Sequence, residues 1–219
     1  MMTKLTASDG HEFDCWMESA KGKRKGGLVL IQEIFGVTDQ LKNLATRYAG
    51  LGYDVAVPAL FDRQQPGAEI SFDNAAPGRD MMLAADLEQV MDDINAAVHA
   101  LSSAGGKVAV MGFCWGGGLA IRAAQKLDIA GAIAFYGTNL PQYLDCPLMA
   151  SVQGHFGKND DHVPPDMLQQ AQDYLDDFEV HLYDAGHAFA NDARPDFYDA
   201  PSAELAHERS QAFLDRVLV

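Results

Sequence analysis

The sequence predicts an α/β protein built on a mainly parallel sheet, and three observations predict it. Strand-like and helix-like segments alternate almost throughout the 219 residues, and parallel strands need a crossover, usually a helix, between them. Runs such as "GGLVLIQE" and "KVAVMGF" are apolar almost without a break, the pattern of strands buried on both faces. The chain opens with "TKLTASDGHEFDCWMES", two alternating runs around the turn dipeptide Asp9-Gly10, which reads as an antiparallel hairpin at one edge of the sheet.

The elements follow in order. After the strand "GGLVLIQE", Leu41, Leu44, Ala45 and Tyr48 fall at i, i+3, i+4 and i+7, one helical stripe that Gly50 and Gly52 help to end. "YDVAVPAL" is the next strand. Residues Phe61 to Asp80 are rich in Pro, Gly, Gln and Asp and lack a period, so they read as a lid or binding loop. Leu83, Leu87, Val90, Met91, Ile94, Val98 and Leu101 mark one long amphipathic helix. "KVAVMGF" is a strand, "GLAIRAAQKL" a helix, and "IAGAIAFYG" and "PLMASVQG" are strands. Pro164 and Pro165 open a helix, "EVHLYDAG" is the last strand, and a terminal helix runs from Pro201. No linker divides the chain, so residues 1–219 read as a single domain.

Charge narrows the function. A net charge of -15 argues against a nucleic-acid or anionic-membrane partner, since both need basic surface; "KGKRKGG" at Lys21 to Gly27 reads as a solvated turn. The first residues carry no apolar signal region and no stretch is long enough to span a bilayer. Cys15, Cys114 and Cys146 are too widely spaced for a disulfide framework or a paired-cysteine metal motif. The expectation is a cytoplasmic protein with no metal or organic cofactor.

One stretch, "VMGFCWGGG" from Val110 to Gly118, carries chemistry. Cys114 lies between a strand and a helix, where open α/β sheets bind ligands. Gly112 and Gly116 flank it, as a sharp turn with crowded backbone requires. The helix start beneath the thiol supplies N–H groups and a dipole that favour a thiolate and then an oxyanion. A small buried cysteine beside a flexible loop is the plainer alternative. A nucleophile needs a base and the base an orienting carboxylate. His187 follows the last strand and is the candidate base; His155 and His162 also lie near a strand end, whereas His11, His99, His181 and His207 read as structural or surface residues. "GHFGKNDDHVPP" offers Asp160 as orienter, with Asp161 read as a solvated or capping carboxylate. The chain order nucleophile, acid, histidine is that of α/β-hydrolases.

With those residues placed, the chain resembles the dienelactone hydrolase family, carboxymethylenebutenolidases and relatives, over nearly its whole length. "QEIFGV" at Gln32 to Val37, "RQQPG" at Arg63 to Gly67, "GFCWGG", "DDHVPP" and "GHAFAN" at Gly186 to Asn191 carry the resemblance. It implies an α/β-hydrolase fold and hydrolysis of a small ester or lactone through an acyl-thioester, with Cys114 as nucleophile, Asp160 as orienter and His187 as base. It further implies that Glu33 holds the resting thiol and that the N–H groups of Ile34 and Trp115 form an oxyanion hole. Two arginines hold the substrate carboxylate in the family. Arg63 matches one, but Asn191 stands at the other, with Arg194 nearby; Tyr136 matches a pocket-lining position. Phe135, Phe156 and Phe189 read first as core, as does Cys146. Two other readings stand beside this one: a cysteine amidase of the glutamine amidotransferase kind, which usually carries a glutamate where this chain has Phe189, and a hydrolase-like scaffold that only binds.

Overall fold

The computed structural model describes all 219 residues. Eight strands form one sheet in the order β1-β2-β4-β3-β5-β6-β7-β8. The chain divides into two compact units, Met1–Ala109 with Leu218–Val219, and Val110–Val217.

In the first unit β1 (Met2–Thr6) and β2 (Glu12–Glu18) form the expected antiparallel hairpin, with Leu5 opposite Phe13. Gly10 takes a φ of 89° in its turn, a conformation that costs glycine nothing. β2 also pairs antiparallel with β4 (Tyr53–Pro58), and β4 lies parallel to β3 (Gly26–Ile31), which is buried at every residue. Helix α1 (Asp39–Gly50) starts at Thr38, whose hydroxyl accepts the Leu41 N–H, and packs on β4 with Leu41, Leu44, Ala45 and Tyr48 buried. That is the stripe its period predicts.

The segment expected to be one irregular loop and one long helix differs. Ala76–Ala84 is a helix, α2, and the long helix α3 begins only at Leu87 and runs to Ser102. Asp86 makes the break: it caps α3 by accepting the Gln89 N–H, and Ala85 before it is extended. Leu83, counted on the buried stripe, is 72% exposed. The true stripe, Val90, Met91, Ile94, Ala97, Val98 and Leu101, packs on β3 and β4, each side chain contributing about 1–3 kcal/mol by burial.

β5 (Val108–Phe113) leads into the second unit, where β6 (Gly131–Phe135), β7 (Val152–Gly157) and β8 (Phe178–Tyr183) run parallel. The strand read from "PLMASVQG" begins later, at Val152, since Met149 is exposed and the 147–151 stretch is irregular. Helix α4 (Trp115–Lys126) is buried from Trp115 through Gln125 and packs on β6. A short 3-10 turn (Leu140–Tyr143), α5 (Pro165–Tyr174) and α6 (Ala200–Leu218) follow. No helix is long and apolar enough to cross a membrane.

Candidate active site

Cys114 sits between β5 and α4 with φ 54° and ψ -116°, a strained backbone for any residue with a Cβ. The surroundings fix it there. Its N–H donates to the Phe135 carbonyl at 3.0 Å, and its own carbonyl accepts from Gly117 at 3.0 Å and Thr138 at 3.1 Å. A Cβ on Gly117 would stand 2.7 Å from the Gly137 Cα, so the glycine run is what lets the start of α4 lie against the chain after β6. The turn leaves the thiol partly accessible. By contrast Cys15 is fully buried in β2, and burial pushes its thiol up to about 12.

His187 follows β8, and its Nδ1 lies 2.8 Å from Oδ2 of Asp160, in the loop after β7. The Asp160 side chain is fully buried, and its other oxygen accepts the His162 N–H at 2.8 Å. Burial of the imidazole disfavours its charged form, but its hydrogen bond to Asp160 and the influence of Cys114 outweigh that, and its pKa is pushed up to about 10. Carboxylate and imidazole are thus hydrogen-bonded in the second unit, which also holds Cys114. The carboxylate fixes the ring by its contact with Nδ1.

Tyr136, with φ 37°, is fully buried, and its ring meets the His187 ring edge-on at 5.1 Å. Phe189 packs on Tyr136 at 5.4 Å, and Phe135 and Phe156 are core. Asp161 is exposed. Trp115 is the first residue of α4 and is buried. Asn191 is 2% exposed, and its Oδ1 accepts the Ala193 N–H in its own loop. The Arg194 guanidinium stacks on Phe197 at 4.0 Å.

In the first unit Glu33 and Ile34 lie in the turn after β3, Glu33 buried. Arg63 is held by two carboxylates. Its Nε and one terminal nitrogen fork onto Asp93 at 2.9 and 2.8 Å, while the terminal nitrogens reach Asp9 at 2.7 and 3.2 Å. That guanidinium and the His11 N–H hold Asp9 down to about 2. No local period links residues 9, 63 and 93, so nothing in the sequence announced these partners.

Two histidines near the strand end prove different from each other. His155 is fully buried on β7, its Nδ1 2.8 Å from the Tyr183 hydroxyl and its Nε2 3.0 Å from Ser210 Oγ. His162 packs its ring 4.4 Å from that of His187. The sequence singled out His162 only by its place near a strand end; its contact with His187 depends on how two loops fold together.

The model of the dienelactone hydrolase family matches residues 13–218. Among curated proteins, a carboxymethylenebutenolidase of Pseudomonas putida is 30% identical over 222 residues, 96% of this chain and 94% of that protein. Carboxymethylenebutenolidase 1 of Cupriavidus pinatubonensis is 26% identical over 223 residues, 96% and 94% of the two chains. Among solved structures, a dienelactone hydrolase-like promiscuous phosphotriesterase from metagenomic libraries superposes with a TM-score of 0.83 at 20% identity, over 100% of this chain and 99% of that one; at that identity the likeness speaks for the fold.

Proposed function

The chain belongs to the dienelactone hydrolase family, and from that premise we propose that it hydrolyses a small ester or lactone through an acyl-thioester on Cys114. The observation that supports this reading is the Asp160 carboxylate on Nδ1 of His187 at 2.8 Å, with Cys114 among the groups that raise the pKa of the same imidazole.

His187 takes the thiol proton and the sulfur attacks the carbonyl carbon. The carbonyl π pair moves onto oxygen, where the N–H groups of Trp115 and Ile34 are the donors we assign to the oxyanion. Collapse of the tetrahedral adduct breaks the bond to the leaving oxygen, which receives its proton from the imidazolium. Water then attacks the thioester, giving its proton to His187. A second collapse frees the carboxylic acid, and the sulfur leaves as thiolate. Glu33 is the residue we assign to hold the resting thiol, and a Glu33→Ala chain that alkylates Cys114 with an unchanged pH profile would remove that role. Tyr136 and Asn191 are assigned to contact the substrate. Arg63 can take an anionic substrate only by releasing a carboxylate, and Asp9 is the more exposed of its two partners. A cytoplasmic setting fits three thiols of which none is paired.

The test is hydrolysis of a dienelactone and of an aryl acetate by the native chain and by Cys114→Ala, with mass spectrometry of the trapped enzyme. Cysteine-dependent turnover and an acyl adduct on Cys114 support the reading. Turnover that survives Cys114→Ala overturns the thioester, and a strong preference for the dienelactone supports Arg63 as an anchor.

A further inference from the structure

We propose that the recess bounded by Thr138, Asn139, Pro141, Gln142, His162 and Met167 receives the leaving alcohol of the ester and selects a polar, uncharged one. The proposal rests on the hydrolytic reading above and adds the substrate part that this recess recognises.

The recess encloses about 290 Å³, at the small end of ligand sites; with about 30 Å³ per water in the liquid, it suits a group of roughly ten water-sized volumes at most. Two links tie it to the reacting groups. Thr138 donates its N–H to the Cys114 carbonyl at 3.1 Å, so one wall hangs from the elbow. His162 forms the opposite link, its ring 4.4 Å from that of His187 and its N–H on the same Asp160 carboxylate that orients His187.

The identity of the group follows from the direction of proton transfer. The imidazole that deprotonates sulfur must next protonate the departing oxygen, so the alcohol leaves on the imidazole side of the sulfur. A recess whose His162 wall touches that imidazole therefore takes the alcohol, and the acyl group lies elsewhere.

The lining sets the chemistry. The residues that line it carry two carboxamides, a hydroxyl and an imidazole beside Pro141 and Met167, and no lysine, arginine, aspartate or glutamate is among them. Asp161 and Asp166 stand exposed in the adjoining segments, which disfavours an anionic alcohol. The wall is also rigid. Buried Arg122 of α4 donates to the Gln142 carbonyl at 2.8 Å, and buried Gln125 donates to the carbonyls of Tyr143 and Cys146 at 2.7 and 2.6 Å. The helix that carries the elbow thus also fixes the recess.

The test uses acetyl esters, which all give the same acetyl-enzyme and differ only in the alcohol. Acylation rates are compared for 2-hydroxyethyl, glyceryl and hexyl acetate, in the native chain, Gln142→Leu and Thr138→Val. Gln142 is exposed and Thr138 half-buried, so neither side chain is part of the core. The expected result is a preference of about tenfold for the hydroxylated alcohols, equivalent to one strong hydrogen-bonded difference, falling to near unity or reversing in both variants. No preference among the three alcohols, or one that neither variant changes, overturns the proposal while leaving the hydrolase intact. Absence of any acetyl-enzyme in the native chain overturns the hydrolytic reading itself.

Discussion

A Cβ placed on Gly112 would lie 1.8 Å from the carbonyl oxygen of Gly116. No side-chain rotation relieves that clash, because both atoms belong to the turn that holds Cys114. Gly112→Ala is therefore expected to displace the start of α4 or to prevent folding. Soluble Gly112→Ala protein with native alkylation kinetics at Cys114 would show that the turn can open without cost to the thiol.

The His187 imidazole, pushed up to about 10, makes a pH-dependent contribution to stability. Because the folded pKa exceeds the unfolded value near 6.5, the contribution is complete below about pH 6.5 and is lost as pH rises through 10. The difference in melting temperature between the native chain and His187→Asn should be largest near pH 6 and shrink toward pH 10. A difference that grows with pH contradicts the pairing. Asp160→Asn should lower kcat by at least about a hundredfold while leaving substrate binding near native, since it disturbs the imidazole rather than the pocket.

His155 carries the opposite sign. Burial, with smaller contributions from His181, His207 and Arg209, holds its pKa well below 6.5, so the native ring stays neutral while the unfolded one takes a proton. Stability should fall as pH drops below about 6.5, by up to about 1.4 kcal/mol per pH unit for this one group. Urea midpoints at pH 7.5, 6.5 and 5.5 measure it, and His155→Gln should flatten the slope. An equal slope in both proteins would assign the acid sensitivity to other groups.

Arg63→Ala should cost about 3–5 kcal/mol, because it strands the Asp93 carboxylate, whose side chain is 1% exposed. Adding Asp93→Leu should recover much of that loss. If the single variant costs less than 1 kcal/mol by chemical denaturation, the pair is not the support it resembles.

Residues that act through local period or chain order were readable from the sequence, and those that act through distant partners were not. The apolar runs mark the buried strands, and the spacing of Gly112, Cys114 and Gly116 marks the turn between β5 and α4. Asp160 and His187 could be chosen because loops at strand ends are where open sheets place ligands. The sequence hides the break at Asp86 because Leu83 extends the α3 stripe in phase, and one capping aspartate outweighs that match. Arg63 looked like an available cation because its two carboxylates lie far away in the chain. His162 became informative only when the loops after β7 and β8 met.

Cys114, Asp160 and His187, the groups proposed to react, follow β5, β7 and β8, three members of one run of strands. Adjacent strands sit about 4.8 Å apart whatever joins them, so the sheet works as a ruler whose marks are strand ends. The helical crossovers are slack cord between those marks. A lengthened connection between α4 and β6, or between α5 and β8, would lie at the far ends of the strands and leave the reacting distances unchanged. One added residue inside β7 would instead turn alternate side chains to the opposite face and carry Asp160 away from His187. Tolerance to insertion and deletion along this chain should thus be graded by strand register, with the longest tolerated changes falling where the polypeptide is furthest from the thiol.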